Sequence, residues 1–199
     1  LRLSYILAYK RFRFKPIVES LISMPMVLPP TVLGFYVLVA YSPQNAFGRF
    51  LDTTLHLRLA FSFEGILVAS IIFSLPFMIQ PLVNGFELIP KSYREAAYTL
   101  GKSPFTTFIK VLMPNIRPSI LTGVAMTFAH CIGEFGLVIM VGGNMPGETR
   151  VASVAIYDAV QLMDYTTANK YSLILFLISL AILSLIYGFN GKKKEDVRN

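Results

Sequence analysis

Three ionisable residues lie within or at the edge of long apolar stretches of this sequence: Glu19, His130 and Glu134. Ionisable groups at membrane depth are costly and are often functional. His130 and Glu134 are four residues apart, so on a helix they share one face and can pair. Two interpretations stay open: the pair is structural, or it sets the electrostatics of a pathway through the membrane. We expect Glu134 to have a partner, because burying the two groups together costs less than burying either one alone.

The patterns of several other kinds of site are missing. One His and one Glu are too few ligands for zinc, and the second histidine, His56, lies in a separate loop. The single cysteine, Cys131, lies inside an apolar run, so the sequence has no disulfide framework. It also contains no Gly-x-x-x-x-Gly-Lys nucleotide-binding pattern and no plausible nucleophile–base pair. We therefore predict that the chain is not an enzyme and binds no metal or cofactor itself.

The composition indicates a membrane protein. Of the 199 residues, 54% are hydrophobic and 15% are charged, against roughly 25% charged in soluble domains. The mean hydropathy is +0.60. The net charge of +7 lies in short clusters between apolar runs, which is how membrane proteins set their orientation. A secreted enzyme, a nucleic-acid binder and a disulfide scaffold are therefore poor interpretations, and membrane lipid is the expected surrounding.

Four stretches have the length of about 20 residues that a membrane-spanning helix needs: residues 17–41, 62–86, 119–141 and 171–189. Prolines are expected to kink the first two of these spans. Residues 1–9 are expected to be the last turns of a truncated first span. The prediction is an all-α, polytopic transmembrane helical bundle that forms a single domain over residues 1–199.

The basic residues predict the orientation of the chain. Thirteen Lys and Arg residues lie in alternate connections, against four in the other connections. The positive-inside rule therefore places residues 87–118 in the cytoplasm. The basic run at residues 192–194, with Arg198, is interpreted as an anchor at the lipid surface. Asp158 and Asp164 are expected to be solvated.

The predicted cytoplasmic segment, residues 87–118, has the signals of a short helix. Ser92 and Glu95 have the spacing of a capping box, in which each side chain bonds a backbone amide at a helix start. Helix-forming residues follow through Leu100, and Gly101 suits the left-handed position after the last turn. These signals predict a helix of about eight residues that begins at Ser92.

A second short helix is predicted directly after the first. Ser103-Pro104 reads as a cap followed by proline at the first helical position, and this helix is expected to stop before Pro114. Two interpretations of the segment stay open. It inserts into the groove of a partner, with Tyr98 contributing apolar contact, or it lies as an amphipathic loop on the lipid headgroups.

The same segment resembles the E-A-A…G…I-x-L-P motif of binding-protein-dependent ABC importer permeases. The matching residues are Glu95-Ala96-Ala97, Gly101 and Leu112-Met113-Pro114; Lys110 stands where the family often has Ile. In that family this segment is the coupling helix, which fits a cleft on a cytoplasmic ATPase. The resemblance implies that the coupling residues are Tyr93, Glu95, Ala96, Ala97, Leu100, Gly101 and Pro114.

Two further stretches resemble the molybdate/tungstate permease subunits. Residues 28–34 read L-P-P-T-V-L-G, and residues 133–136 read G-E-F-G and are followed by G-N-M-P-G-E-T at 143–149. Sulfate/thiosulfate permeases share the G-E-F-G stretch. Histidine stands at position 130, where the family has arginine, so a fixed positive charge is not assumed there. The residues assigned to the translocation pathway are Pro29, Pro30, Thr31, His130, Glu134 and Gly136.

The resemblance implies a permease subunit in the cytoplasmic (inner) membrane that moves molybdate or tungstate by alternating access. Its implied partners are a second copy of itself, two cytoplasmic ABC ATPases that hold ATP and Mg²⁺, and an external oxyanion-binding protein. The alternatives are a sulfate/thiosulfate ABC permease, an ion-coupled secondary transporter and an intramembrane enzyme. A secondary transporter would be expected to show internal repeats, and the sequence shows no convincing repeat.

Overall fold

The structure, a computed structural model, describes the backbone of residues 1–195 and the side chains of residues 1–188. Within these residues all regular structure is helical, which confirms the all-α prediction. A π-helical turn, Phe108–Leu112, separates the seventh α-helix from the eighth. The α-helices are α1 (Arg2–Tyr9), α2 (Lys15–Val27), α3 (Pro30–Tyr41), α4 (Ala46–Leu55), α5 (Phe63–Glu87), α6 (Lys91–Thr99), α7 (Pro104–Thr107), α8 (Met113–Asn115), α9 (Arg117–Gly133), α10 (Gly136–Gly142), α11 (Ala152–Gln161) and α12 (Tyr165–Glu195).

Two of the four predicted spans are single helices, and two are broken. The helix α5 and the Tyr165–Gly188 part of α12 are each long and apolar enough to cross a membrane. The predicted span at 17–41 is instead α2 and α3, which meet at 114°, and the span at 119–141 is α9 and α10, which meet at 58°. The described residues therefore hold two candidate spans, or up to four if each bent pair is one span.

Consecutive prolines explain the first break. A residue that precedes proline is pushed out of the α region, and both Leu28 and Pro29 precede a proline. Pro29 is extended, with φ −55° and ψ 136°, and Pro30 begins α3. By contrast α5 continues as one helix through both Pro76 and Pro81, so those prolines do not divide the second span as Pro29 divides the first.

The second break has no proline, and the sequence analysis did not predict it. It falls at Glu134 and Phe135, between α9 and α10. The Glu134 carbonyl accepts a hydrogen bond from the Ser153 hydroxyl at 2.7 Å, and one carboxylate oxygen accepts the backbone N–H of Leu137 at 3.0 Å. These bonds to groups outside the α9 ladder satisfy the backbone where the helix stops.

The described chain divides into two compact units. The first contains Leu1–Ile22, Leu75–Phe128 and the described residues from Leu183 onward, and the second contains Ser23–Ser74 and Ala129–Ile182. In the first unit a small apolar core joins the end of α5 to the segment before α9. Its buried members are Leu82, Phe86, Ile89, Leu112 and Ile116.

The second unit has its own apolar core. It joins α3, α4, the first part of α5, α10 and α11, and its buried members include Tyr41, Leu51, Phe73, Val141 and Val154. Each unit therefore holds a separate set of predicted functional residues on its own framework. The predicted lipid anchor at 192–194 and Arg198 lies outside the described side chains.

Candidate functional site: a basic loop and two broken helices

The basic loop, residues 87–118, begins with α6, and its helix start differs from the prediction. The residue before the helix is Pro90, and no side chain caps the helix start, so the capping box of Ser92 and Glu95 is wrong. Pro90 is extended, and its carbonyl accepts the N–H of Tyr93. Ser92 therefore already lies in the first helical turn and cannot occupy the capping position.

The end of α6 confirms the role of Gly101 as a left-handed residue. Its φ is +71°, and two backbone bonds close the helix end. The Lys102 N–H donates to the Ala97 carbonyl, and the Gly101 N–H donates to the Tyr98 carbonyl. This pair of bonds is a Schellman motif, which turns the chain sharply after the helix.

The second helical run of the basic loop starts as predicted and ends later than predicted. The Ser103 hydroxyl accepts the N–H of Thr106, and Pro104 begins α7. The run does not stop before Pro114. In the π turn the Met113 N–H donates to the carbonyl of Phe108, five residues earlier. Pro114, which has no N–H to donate, follows within α8.

The α6 helix is attached to α1 of the same unit. The Arg94 guanidinium lies 3.8 Å above the centre of the Tyr9 ring, and the Tyr9 hydroxyl donates to the Phe86 carbonyl at 2.6 Å. Tyr5 of α1 also makes edge contacts with Phe86 and with Phe108 of the π turn. A displacement of α6 would therefore act directly on α1 and on the end of α5.

Most predicted coupling residues face outward. Ala97 is buried, whereas Tyr93, Glu95, Ala96, Leu100, Gly101 and Pro114 are exposed. Leu100 is 75% exposed, and Phe105, which the sequence analysis did not single out, is 73% exposed. Large apolar side chains this open to solvent mark a surface that contacts a partner or a membrane.

A cavity of about 520 Å³ lies between α6 and the run that follows it. Its apolar lining comes from one face of each helix, and two lysines and several hydroxyl groups complete it. The lining residues are Ser92, Tyr93, Ala96, Ala97, Leu100, Lys102, Thr106, Thr107, Lys110 and Val111.

In the second unit, the two short helices that follow the breaks pack against each other. A Cβ atom added at Gly136 would lie 2.9 Å from the Pro30 Cβ and 3.1 Å from the Thr31 backbone nitrogen. A Cβ atom added at Gly34 would lie 2.9 Å from the Met140 Cβ. The start of α3 therefore lies beside the start of α10, so the two helices run parallel. Three predicted pathway residues, Pro30, Thr31 and Gly136, meet where these helices begin.

Glu134 and His130 pair as their spacing predicts. The His130 Nε2 atom lies 3.5 Å from one Glu134 carboxylate oxygen, and the His130 ring lies against Phe73 at 5.0 Å between centroids. The other carboxylate oxygen accepts the Leu137 N–H in the first turn of α10. Glu134 is 6% exposed, so a buried carboxylate stabilises the positive end of α10. Glu19, the third predicted ionisable residue, is 46% exposed in its side chain and pairs with Lys15 at 3.6 Å.

The segment after α10 holds an ordered polar cluster that the sequence analysis missed. The Asn144 amide donates to Asp158 at 2.8 Å, and Arg150 donates to the Asn144 amide oxygen at 2.9 Å. Arg150 also lies 3.4 Å from Asp158. The Thr149 hydroxyl donates to the Gly142 carbonyl and accepts the N–H of the residue after Asn144. The expectation that Asp158 is solvated is wrong, and the turn-rich 143–149 segment was the signal available for this cluster.

Asp164 is also specifically bonded, because it precedes α12. The side chain and backbone N–H of Thr167 bond to this carboxylate and lower the pKa of Asp164 below its ordinary value. The carboxylate favours the start of α12 in its charged form. Among the described residues no group of three or more His, Cys, Asp or Glu side chains could hold a metal ion.

Comparisons with known proteins agree with these features. Residues 1–191 match the family described as the binding-protein-dependent transport system inner membrane component. The chain is 42% identical over 181 residues to the molybdenum transport system permease protein ModB of Azotobacter vinelandii, which covers 91% of this chain and 80% of the relative. It is 32% identical over 195 residues to a probable sulfate transport system permease protein cysT of Nephroselmis olivacea, covering 98% of this chain and 68% of the relative.

A third relative is the sulfate transport system permease protein CysT of Salmonella typhimurium, 32% identical over 183 residues, with 92% of this chain and 66% of the relative covered. The match extends over both units, the basic loop and the two broken helices. The chain is thus a multi-pass protein of the inner membrane and a transport subunit, not an enzyme: it belongs to the family of inner-membrane permease components of binding-protein-dependent ABC importers.

Proposed function

We propose that the chain is the permease subunit of an importer that moves molybdate or tungstate across the cytoplasmic membrane. The observation that carries this proposal is the 42% identity to a molybdenum transport permease, against 32% to the sulfate permeases described above. The 143–149 segment, which resembles the molybdate/tungstate subunits, adds support. Its Asn144 and Thr149 side chains make the bonds that order the turn after α10.

A sulfate permease is the second candidate. It is favoured by the sulfate permeases that match 92% to 98% of this chain. Both substrates are tetrahedral oxyanions with two negative charges, so the subunit's general architecture suits either one. The two candidate functions therefore have to be distinguished by an experiment in which the anions compete directly for uptake.

The test of substrate is uptake of labelled molybdate by cells that express the complete transporter, with an empty-vector control. Excess tungstate or excess sulfate is added as the competitor. Uptake that tungstate blocks and sulfate does not block supports the molybdate/tungstate proposal. Uptake that sulfate also blocks assigns the chain to the broader sulfate group, and uptake no greater than the control contradicts both.

We also propose that α6 is the coupling helix, which docks on a cytoplasmic ATPase. The proposal rests on its exposed apolar residues, Tyr93 and Leu100, and on its attachment to α1 through Arg94 and Tyr9. Ala96 and Ala97 keep the helix thin, and Glu95 is exposed beside them. ATP-driven motion of the ATPase would move α6 and, through Tyr9 and Phe86, the end of α5.

In the proposed assembly two copies of this chain enclose the pathway and two ATPases bind ATP and Mg²⁺, whereas this chain holds no cofactor. An external binding protein delivers the oxyanion, and alternating access moves it inward. The α12 helix is consistent with this arrangement, because no part of its most apolar stretch is buried within one chain. In the assembly this stretch would contact lipid or the second copy. Residues at the starts of α3 and α10 are the proposed pathway: Pro29, Pro30, Thr31, Gly136 and, behind them, His130 and Glu134.

The coupling proposal is tested by two substitutions of one residue. Gly101→Val places a β-branched residue at φ +71°, where the left-handed conformation costs roughly 1–2 kcal/mol, and it should disrupt the end of α6. Gly101→Asn keeps a residue that tolerates this conformation. No neighbour lies within 4 Å of an added Cβ atom, so the difference between the variants reports the backbone alone. We expect Gly101→Val to reduce ATPase association and uptake while membrane insertion persists; full association and uptake would contradict the docking assignment.

A further inference from the structure

The cavity between α6 and the following helical run has a lining of unbalanced charge. Its wall is apolar, with Ala96, Ala97, Leu100 and Val111 among the lining residues, and its two ionisable groups besides Tyr93 are Lys102 and Lys110. Both lysines are exposed. Among the described residues, no Asp or Glu side chain lines this cavity.

The lysines are also without a carboxylate partner within the described chain. The salt bridges found among the described residues use Lys15, Arg58, His130 and Arg150 as their basic members. The basic loop as a whole carries five basic and two acidic residues. The positive field at the cavity is therefore not neutralised by its own surroundings, and an anionic group entering between the lysines would be attracted.

The size of the cavity suits more than one side chain. A volume of about 520 Å³ falls in the range of sites that hold a drug-sized ligand, which corresponds to a few residues of a peptide segment. The cavity is continuous with the exposed apolar surface of the proposed coupling helix, since Tyr93 and Leu100 belong to both.

We infer that this cavity receives a segment of the ATPase in which a carboxylate lies next to apolar side chains. The apolar side chains fill the space between α6 and the π turn, and the carboxylate lies between Lys102 and Lys110. The contact is then reciprocal: α6 enters the ATPase, and a segment of the ATPase enters the permease beside α6. This inference rests on the proposed function, because it assumes that the basic loop meets the ATPase.

The test is the affinity of the ATPase for the full-length permease held in nanodiscs, measured at several salt concentrations. The double substitution Lys102→Glu with Lys110→Glu is expected to weaken binding at least about tenfold, since like charges then face the incoming carboxylate. Binding of this variant should also lose much of its salt sensitivity. The milder pair Lys102→Gln with Lys110→Gln should have an ATPase affinity between those of the unaltered permease and the double Glu variant. It also serves as the test if charge reversal impairs folding.

The matched control is Lys91→Glu with Arg117→Glu, which changes the loop charge equally at positions that do not line the cavity. If the control weakens binding as much as the cavity variant, the effect is general electrostatics and the inference is overturned. Binding that the cavity variants leave intact also overturns it. If the cavity variants alter adsorption of the permease-containing nanodiscs to phosphatidylglycerol vesicles but not ATPase binding, the occupant is an anionic lipid and the inference fails.

A photo-reactive residue at Thr106, which is half-buried in the cavity lining, provides a direct readout. We expect it to cross-link to an ATPase peptide that contains Asp or Glu; cross-linking to a peptide without a carboxylate contradicts the inference. The Gly101→Val variant separates the two proposals. If it abolishes ATPase binding while the lysine variants do not, only the cavity inference fails; if it also leaves binding intact, the docking proposal fails as well.

Discussion

The basic loop and the start of α10 differ in which unfavourably placed side chains they contain: exposed apolar groups in the loop and a buried carboxylate at α10. The basic loop leaves apolar side chains open, with Leu100 at 75% exposure, whereas the second unit buries the Glu134 carboxylate at 6% exposure. The buried carboxylate has its partners within the chain, in His130 and the Leu137 N–H. Leu100 has no comparable cover among the described residues. One region makes its contacts within the single chain, whereas the other leaves large apolar side chains uncovered.

This difference leads to opposite expectations for substitution. Changes at the start of α10 should reduce the stability of the isolated subunit, because they remove or crowd contacts that are already made. Changes on the open face of α6 should leave that stability alone and affect assembly. Four substitutions test this contrast.

Among these four substitutions, the largest loss of stability is expected for Glu134→Ala. Removing this carboxylate takes the acceptor from the Leu137 N–H and the neighbouring oxygen from His130, and a buried donor left without a partner costs up to about 3 kcal/mol. Glu134→Gln keeps an oxygen for the N–H and should cost less. The measurement is the free energy of unfolding in detergent micelles. Glu19→Ala removes a carboxylate that pairs with a residue four positions away, Lys15, at an exposed position, so we expect a change below about 1 kcal/mol. Equal losses at both positions would remove the contrast.

The next effect concerns the close approach of α3 and α10. Gly136→Ala should cost about 2 kcal/mol, since its Cβ atom would meet Pro30 and the Thr31 backbone and overpacking costs typically 1–3 kcal/mol. Gly133→Ala, three residues earlier, has no neighbour within 4 Å of the added atom and should be neutral or slightly stabilising. Thermal unfolding of the two variants side by side makes the comparison. A Gly136→Ala protein as stable as Gly133→Ala would mean that α3 and α10 are not held together this closely.

The sequence predicted local features of these regions well where a single residue determines them. The left-handed Gly101, the Ser103 cap and the pairing of His130 with Glu134 all follow from residue type and spacing, and each is confirmed. The break at Leu28 was predicted only as a kink. Its sharp bend needed the additional step that both Leu28 and Pro29 precede a proline.

Other features depend on contacts between distant parts of the chain, which spacing does not reveal. At the break between α9 and α10 the Glu134 carbonyl accepts a bond from Ser153, and α6 is attached through Arg94 to Tyr9. The predicted capping box was wrong because the helix begins directly after Pro90. Ser92 therefore lies inside the first turn and not at the capping position. The cavity between α6 and the π turn needed the relative placement of two short helices, which neither helix signal contains.

A smaller effect is expected from the polar cluster that follows α10. Asp158→Ala should cost about 1 kcal/mol, because hydrogen bonds of this kind contribute about that much and both Asn144 and Arg150 lose a partner. Hydrogen exchange of the 143–150 backbone should increase along with the loss of stability. Asp52→Ala, which leaves a single exposed partner, Arg58, should change stability less. If exchange in the 143–150 segment is unaltered in Asp158→Ala, the cluster does not order the turn.

The smallest effect on stability is expected where the effect on assembly is largest. Leu100→Ser removes an apolar side chain that the isolated subunit leaves in solvent, so its free energy of unfolding should stay within about 0.5 kcal/mol of the unaltered protein. Leu112→Ala, in the same loop but 1% exposed, should cost about 2–5 kcal/mol. ATPase binding should fall at least about tenfold in Leu100→Ser, because burying a leucine side chain contributes about 1.5–3 kcal/mol. A Leu100→Ser subunit with clearly reduced stability, or with normal ATPase binding, would show that this surface is not a partner-binding surface. The contrast between the basic loop and the start of α10 would then be lost.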